Sequence, residues 1–132
     1  MSAALLKHIT TSGGTLDVDV VSRRVVCTRM TGHLDAELAR QFLASLEEWL
    51  KLGGTDLLAF HDWDAVLDYD TEARSILTPW SKLHRPKFDR VHMLVRTRTL
   101  AWGIRIVNSL TANVMLVHHT RQSFEQARSA AL

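Results

Sequence analysis

Cysteine is nearly absent from this chain: its 132 residues include one, Cys27. No intrachain disulfide can form, and a lone cysteine in the strand-like run 24–30 reads as a small core residue in a reducing cytoplasm. Long apolar runs are missing too. Ala3, Ala4, Leu5 and Leu6 are followed at once by Lys7 and His8, too short a run for a signal peptide or a membrane span. Neither HxxxH nor paired CxxC spacing occurs, and GxSxG, Walker and GxGxxG motifs are also lacking, so no metal site, cofactor or catalytic machinery is announced. There is no repeat or low-complexity tract, and the only loose stretch is 10–14. These absences predict a non-enzymatic domain spanning residues 1–132, long enough to bury one core without metal or disulfide. Residues 1–14 form either an extension or an extra edge strand.

Acids become scarce halfway along. Residues 1–74 carry twelve acids and seven bases, whereas residues 75–132 carry two acids, Asp89 and Glu125, and nine bases. The formal net charge of +2 therefore hides a dipolar molecule. Lys82, His84, Arg85, Lys87, Arg90, Arg96 and Arg98 make the densest basic tract. An anionic membrane surface, an acidic partner or the acidic half of the chain itself could use it. Nucleic acid is not expected, because no recognition helix or aromatic-interleaved strand accompanies the charge.

Leu16, Val18 and Val20 alternate with Asp17 and Asp19, which predicts a half-wet strand paired antiparallel with 25–30. Leu34, Leu38, Phe42, Leu46 and Leu50 recur every four residues, the mark of an amphipathic helix that Gly53 and Gly54 stop. A short buried strand is expected at 57–60. A second helix carries Ala73, Ile76, Leu77, Trp80 and Leu83, kinked or divided at Pro79. A strand over 90–98 shows Val91, Met93 and Val95 on one face and Arg90, His92, Arg96 and Arg98 on the other. A helix over 100–110, a strand over 114–117 and a last helix opening at Thr120 complete the order. The prediction is an α/β fold with a single mixed sheet of about five strands, an N-terminal antiparallel pair and the remainder parallel. Right-handed crossovers advancing one way put the helices mainly on one face and leave the other open.

The run Thr31-Gly32-His33-Leu34-Asp35-Ala36, a strand-end glycine before Leu-Asp and a long amphipathic helix, resembles the STAS domain and its SpoIIAA-like group. The likeness continues through Gly54-Thr55-Asp56-Leu57-Leu58, the Asp70-Thr71 helix start, the strand at Val91, Gly103, and the closing segment 120–127. It spans about residues 16–130. The resemblance implies a non-catalytic module. Its regulatory branch, the anti-sigma-factor antagonists, carries an Asp-Ser-Ser-Gly-like turn whose serine is phosphorylated at a helix start. Here 68–73 reads Asp-Tyr-Asp-Thr-Glu-Ala, with Thr71 for the serine and no glycine. Others in the group, also likened to the CRAL-TRIO lipid-binding fold, are thought to hold nonpolar ligands under a mobile helix and to touch membranes.

Two readings stand for the helix over 100–110. Leu100, Trp102, Ile104, Ile106, Val107 and Leu110 cover more of its surface than one core-facing stripe needs, and leaving Trp102 in water would forgo about 4–6 kcal/mol of transfer free energy. The surplus either meets a neighbour, within the chain or across a homodimer, or walls an apolar pocket. The pocket reading assigns Trp80, Leu83, Leu100, Trp102, Gly103, Ile106 and Leu110 to a small nonpolar or amphiphilic ligand, with Gly103 letting a neighbour approach. His33, His61, Arg96 and Arg98, at or beyond strand ends, form its polar rim. Asp70 and Thr71 are a helix cap or, under the regulatory reading, a phosphosite and contact surface for a protein partner. A metal at His61, Asp62 and Asp64 is not expected, because adjacent strand side chains point apart. The expected location is the cytoplasm, with membrane association as an addition.

Overall fold

A computed structural model describes residues 5–132. The predicted extension is therefore seen from Leu5 on, and residues 1–4, with Ala3 and Ala4, lie outside the described residues. Among the described residues six strands form one sheet: β1 (Leu5–Thr10), β2 (Gly14–Val20), β3 (Val25–Leu34), β4 (Leu57–Tyr69), β5 (Phe88–Val95) and β6 (Met115–His118), side by side in chain order. The first three pair antiparallel and the last three join in parallel. The expected extra edge strand is β1, so the sheet has six strands and not five. Four helices interleave: α1 (Ala36–Leu50), α2 (Thr71–His84), α3 (Arg98–Leu110) and α4 (Arg121–Ala131).

The helix starts are built by side-chain caps. Asp35 Oδ1 accepts from Leu38 N–H at 2.8 Å, Thr97 Oγ1 from Leu100 N–H at 3.2 Å, and Thr120 Oγ1 from Ser123 N–H at 3.2 Å. α1 ends where Gly53 turns left-handed at φ +77°. Pro79 does not divide α2, which runs unbroken from Thr71 to His84. The lost N–H leaves only the Ser75 carbonyl without its helical donor, and Thr78 and Ser81 hydroxyls donate back to the Arg74 and Leu77 carbonyls on either side.

α1, α2 and α3 lie on one face of the sheet, as steadily advancing right-handed crossovers require. They close the main core over Leu16, Val26, Met30, Ala59, Trp63, Val91 and Met93. The opposite face is open only in part, Asp17 and Arg29 staying exposed there. α4 packs there, setting Phe124 among Val25, Leu58, Phe60 and Leu94 in a second, smaller core. The physical reason is that β6 is the last strand, so α4 leads to no further crossover and is free to fold back on the side the others leave bare. β4 is much longer than predicted. It continues to Tyr69 because Asp62 and Asp64, beyond the strand expected at 57–60, face α4 and the β5 end and pair with Arg121 and Arg96.

Candidate functional site

Alternation along β3 and β4 decides which polar groups enter the main core. Thr28 and His61 are register partners, so both side chains reach the face under α1. Both are buried, and Thr28 Oγ1 lies 2.7 Å from His61 Nδ1. Burial pushes the His61 imidazole down to a pKa of about 3, so it is neutral. Phe42 of α1 meets its ring edge-on at 5.0 Å and Trp63 at 5.4 Å. Trp63 is 4% exposed, and its Nε1 has no hydrogen-bond partner among the described residues.

Above these rings is a cavity of about 90 Å³ between the sheet and α1, α2 and α3. Its walls are apolar: Phe42, Leu43 and Leu46 from α1, Leu77 and Trp80 from α2, and Leu100, Gly103, Ile104 and Val107 from α3, over Val91 and Met93. Two of the polar groups in the wall are already engaged. Trp80 Nε1 donates to Glu47 Oε1 at 2.7 Å, and Arg85 Nε donates to the Thr111 carbonyl at 2.8 Å. Gly103 admits Tyr69, whose ring and hydroxyl come within 2.7 Å of where a Cβ would stand.

Of the apolar residues assigned from sequence, Trp80, Leu100 and Gly103 line this cavity. Trp102, Leu83, Ile106 and Leu110 do not. Trp102 is 59% exposed and Leu83 73% exposed, while Ile106 and Leu110 line an outer cleft of about 410 Å³ between α2 and α3. The error has a simple cause: 3.6 residues per turn places Leu100, Gly103, Ile104 and Val107 on the buried stripe and turns Trp102, Ile106 and Leu110 away from it. The contribution of α1 was missed because Phe42, Leu43 and Leu46 read as ordinary core. Sequence carries no signal for a gap among such residues.

The proposed polar rim disperses. His61 reaches the cavity floor, but His33 bridges Asp68 and Asp70, with Nε2 2.8 Å from Asp70 Oδ1. Those two hydrogen bonds raise the His33 pKa. Arg96 donates to Asp64 at 2.9 Å and Arg98 is exposed at the start of α3. Asp70 occupies the N-cap position of α2 yet makes no side-chain cap bond, because its carboxylate faces His33. Thr71 is exposed in the first turn. The basic tract is likewise broken up: His84 is buried against Glu47, Arg85 faces backbone carbonyls and Arg96 an acid, leaving Lys82, Lys87, Arg90 and Arg98 outside.

On the other face His118 is buried. His92 Nδ1 and His118 Nε2 lie 3.0 Å apart, and His118 Nδ1 is 2.6 Å from Ser123 Oγ. Phe60 stacks flat on His92 at 4.7 Å. Desolvation, helped by His118 and Arg90, lowers the His92 pKa to about 4, and desolvation also lowers His118. This chain of rings fastens α4 to the sheet. Cys27 lies half-buried on the same face, its thiol pKa raised by burial. No group of three or more His, Cys, Asp or Glu side chains among the described residues is placed to hold a metal, and no described helix is long and apolar enough to cross a membrane.

No family model matches the chain, and no curated protein matches it. Solved structures do. An uncharacterized DUF3478-family protein from Shewanella loihica PV-4, described as having a SpoIIAA-like fold, superposes with a TM-score of 0.62 at 16% identity, covering 96% of this chain and 98% of that one. The anti-sigma factor antagonist SpoIIAA in its unphosphorylated form gives 0.58 at 16%, over 86% and 96%. An anti-sigma factor antagonist from Mycobacterium paratuberculosis gives 0.56 at 12%, over 95% and 93%. The chain has the SpoIIAA-like, STAS-type fold.

Proposed function

We propose that this SpoIIAA-like domain is a non-catalytic binding module whose ligand, a small nonpolar or amphiphilic molecule, occupies the space between the sheet and α1, α2 and α3. The observation that carries the reading is the apolar cavity of about 90 Å³. An apolar cavity of roughly 150 Å³ takes benzene and stays dry, so this one suits a chain of a few carbons while the rest of the ligand extends outward. Its cover is loosely held: α2 buries only Ala73 and His84, with Leu77 and Trp80 half-buried over the cavity and Ile76 half-buried against the core. An element with so little buried apolar area opens most readily.

The test is native mass spectrometry of gently purified protein, together with displacement of a fluorescent apolar probe. Val107→Phe, which places a ring in the cavity, is expected to abolish probe binding at a stability cost of no more than about 1–3 kcal/mol. Undiminished probe binding by a folded Val107→Phe protein would remove the reading.

A second reading is favoured by the His33, Asp68 and Asp70 cluster beside Thr71, and by the two anti-sigma factor antagonists among the fold matches. It makes the start of α2 a contact surface for a regulatory protein, switched by phosphate on Thr71. A phosphate there adds about −1.5 to −2 charge beside three acids and opposes the His33 bridge. Intact-mass spectra of protein from its native host, free of phosphate on Thr71 under every growth condition, would dispose of the switch.

A further inference from the structure

Two spaces, an apolar cavity and a mixed cleft, meet at one arginine. Arg74 stands in the wall of both the interior cavity and the outer cleft between α2 and α3. Tyr69, in the wall of the cavity but not of the cleft, packs on Gly103 and accepts a hydrogen bond from Arg74 Nη1 at 3.4 Å. That long contact is the only side-chain hydrogen bond of Arg74 among the described residues, and neither Arg74 nor Lys82, the other base in the cleft, forms an ion pair with a described acid. The rest of the cleft is Ser75, Thr78 and Pro79 from α2 with Ile106 and Leu110 from α3, without a carboxylate.

We propose that this junction binds the head of a single-chain amphiphile carrying an anion, with the head on Arg74 and Lys82 and the chain running past Tyr69 into the cavity. The inference rests on the cavity reading above. A charged head finds no free partner inside, because the floor groups His61 and Trp63 are neutral and Arg85 in the wall is taken up by the Thr111 and Phe88 carbonyls. It must stop at the first unpaired cation. A guanidinium fork is the side chain best shaped for a carboxylate, and Lys82 adds a second charge from the same helix face. Ile106 and Leu110, outward-facing and unexplained by the core, cover the first carbons of the chain. Gly103 leaves Tyr69 the room to stand at the passage, where an alanine methyl would press into its ring.

The experiment titrates the full chain with hexanoate, 1-hexanol and acetate, followed by NMR chemical shifts. Hexanoate is expected to bind roughly tenfold tighter than hexanol, the size of a charge-assisted hydrogen bond, and acetate not to saturate in the same range. Arg74→Gln combined with Lys82→Gln should bring hexanoate down to the level of hexanol while hexanol binding is kept. Equal binding of hexanoate and hexanol by the native chain, or a preference that survives both substitutions, overturns the anionic head and leaves the cavity reading standing. Acetate saturating together with hexanoate also overturns it, showing an anion site that ignores the chain. If none of the three binds, the cavity reading itself fails and takes this one with it. Should the double variant lose hexanol binding, the exposed single change Lys82→Gln decides: an unchanged preference for hexanoate counts against the proposal, and a loss of about threefold supports it.

Discussion

Thr28 and His61 form a buried polar pair inside an apolar core, and its cost depends on both members staying in place. The imidazole is neutral and its Nδ1 has a partner 2.7 Å away, so the desolvation of both groups is offset. Thr28→Val keeps the volume and removes the partner. We expect a loss of about 1–3 kcal/mol, read as a lower urea midpoint with an unchanged slope. Trp102 is the opposite case. Its exposure means that Trp102→Ala should cost less than about 1 kcal/mol and leave apolar probe binding intact, measured by the same denaturation and by probe displacement. An effect on the probe as large as that of Val107→Phe would place Trp102 in the site after all.

At the scale of elements, α4 is the helix whose docking we expect to depend on pH. It is held by Phe124 in the small second core, by Arg121 bidentate to Asp62 at 3.0 and 3.2 Å, and by the His92, His118 and Ser123 chain. Folding lowers the pKa of both histidines, so below the ordinary value of about 6.5 the unfolded state binds more protons. Their contribution is complete above that value and is lost as pH falls toward 4. His33 runs the other way, since its raised pKa adds stability at acid pH, but it is largely exposed and solvent screens its bonds. The expected outcome is that α4 amides lose hydrogen-exchange protection between pH 6.5 and 4 before those of α1 do. Uniform protection across that range would show that the histidine chain does not control docking.

Across the whole molecule, much of the architecture was legible from local patterns. The four-residue spacing from Leu34 to Leu50 marked α1, the alternation around Asp17 and Asp19 marked β2, and Val91, Met93 and Val95 marked the inner face of β5. Elements defined by distant partners were not legible: the second half of β4, which needs Arg96 and Arg121 to neutralise its aspartates, and the docking of α4 on the far face. The site divided in the same way. Trp80, Leu100, Gly103 and His61, assigned from sequence, line the cavity, whereas Phe42, Leu46, Trp63 and Arg74 carry no local mark of facing one. The sequence by itself determined the mixed α/β order and the single lone cysteine's inability to staple it, because helix and strand periodicities are properties of consecutive residues. Only the tertiary structure decided which face of α3 is covered, where the histidines lie and that a gap remains under α2, because burial and vacancy are set by residues far apart in the chain.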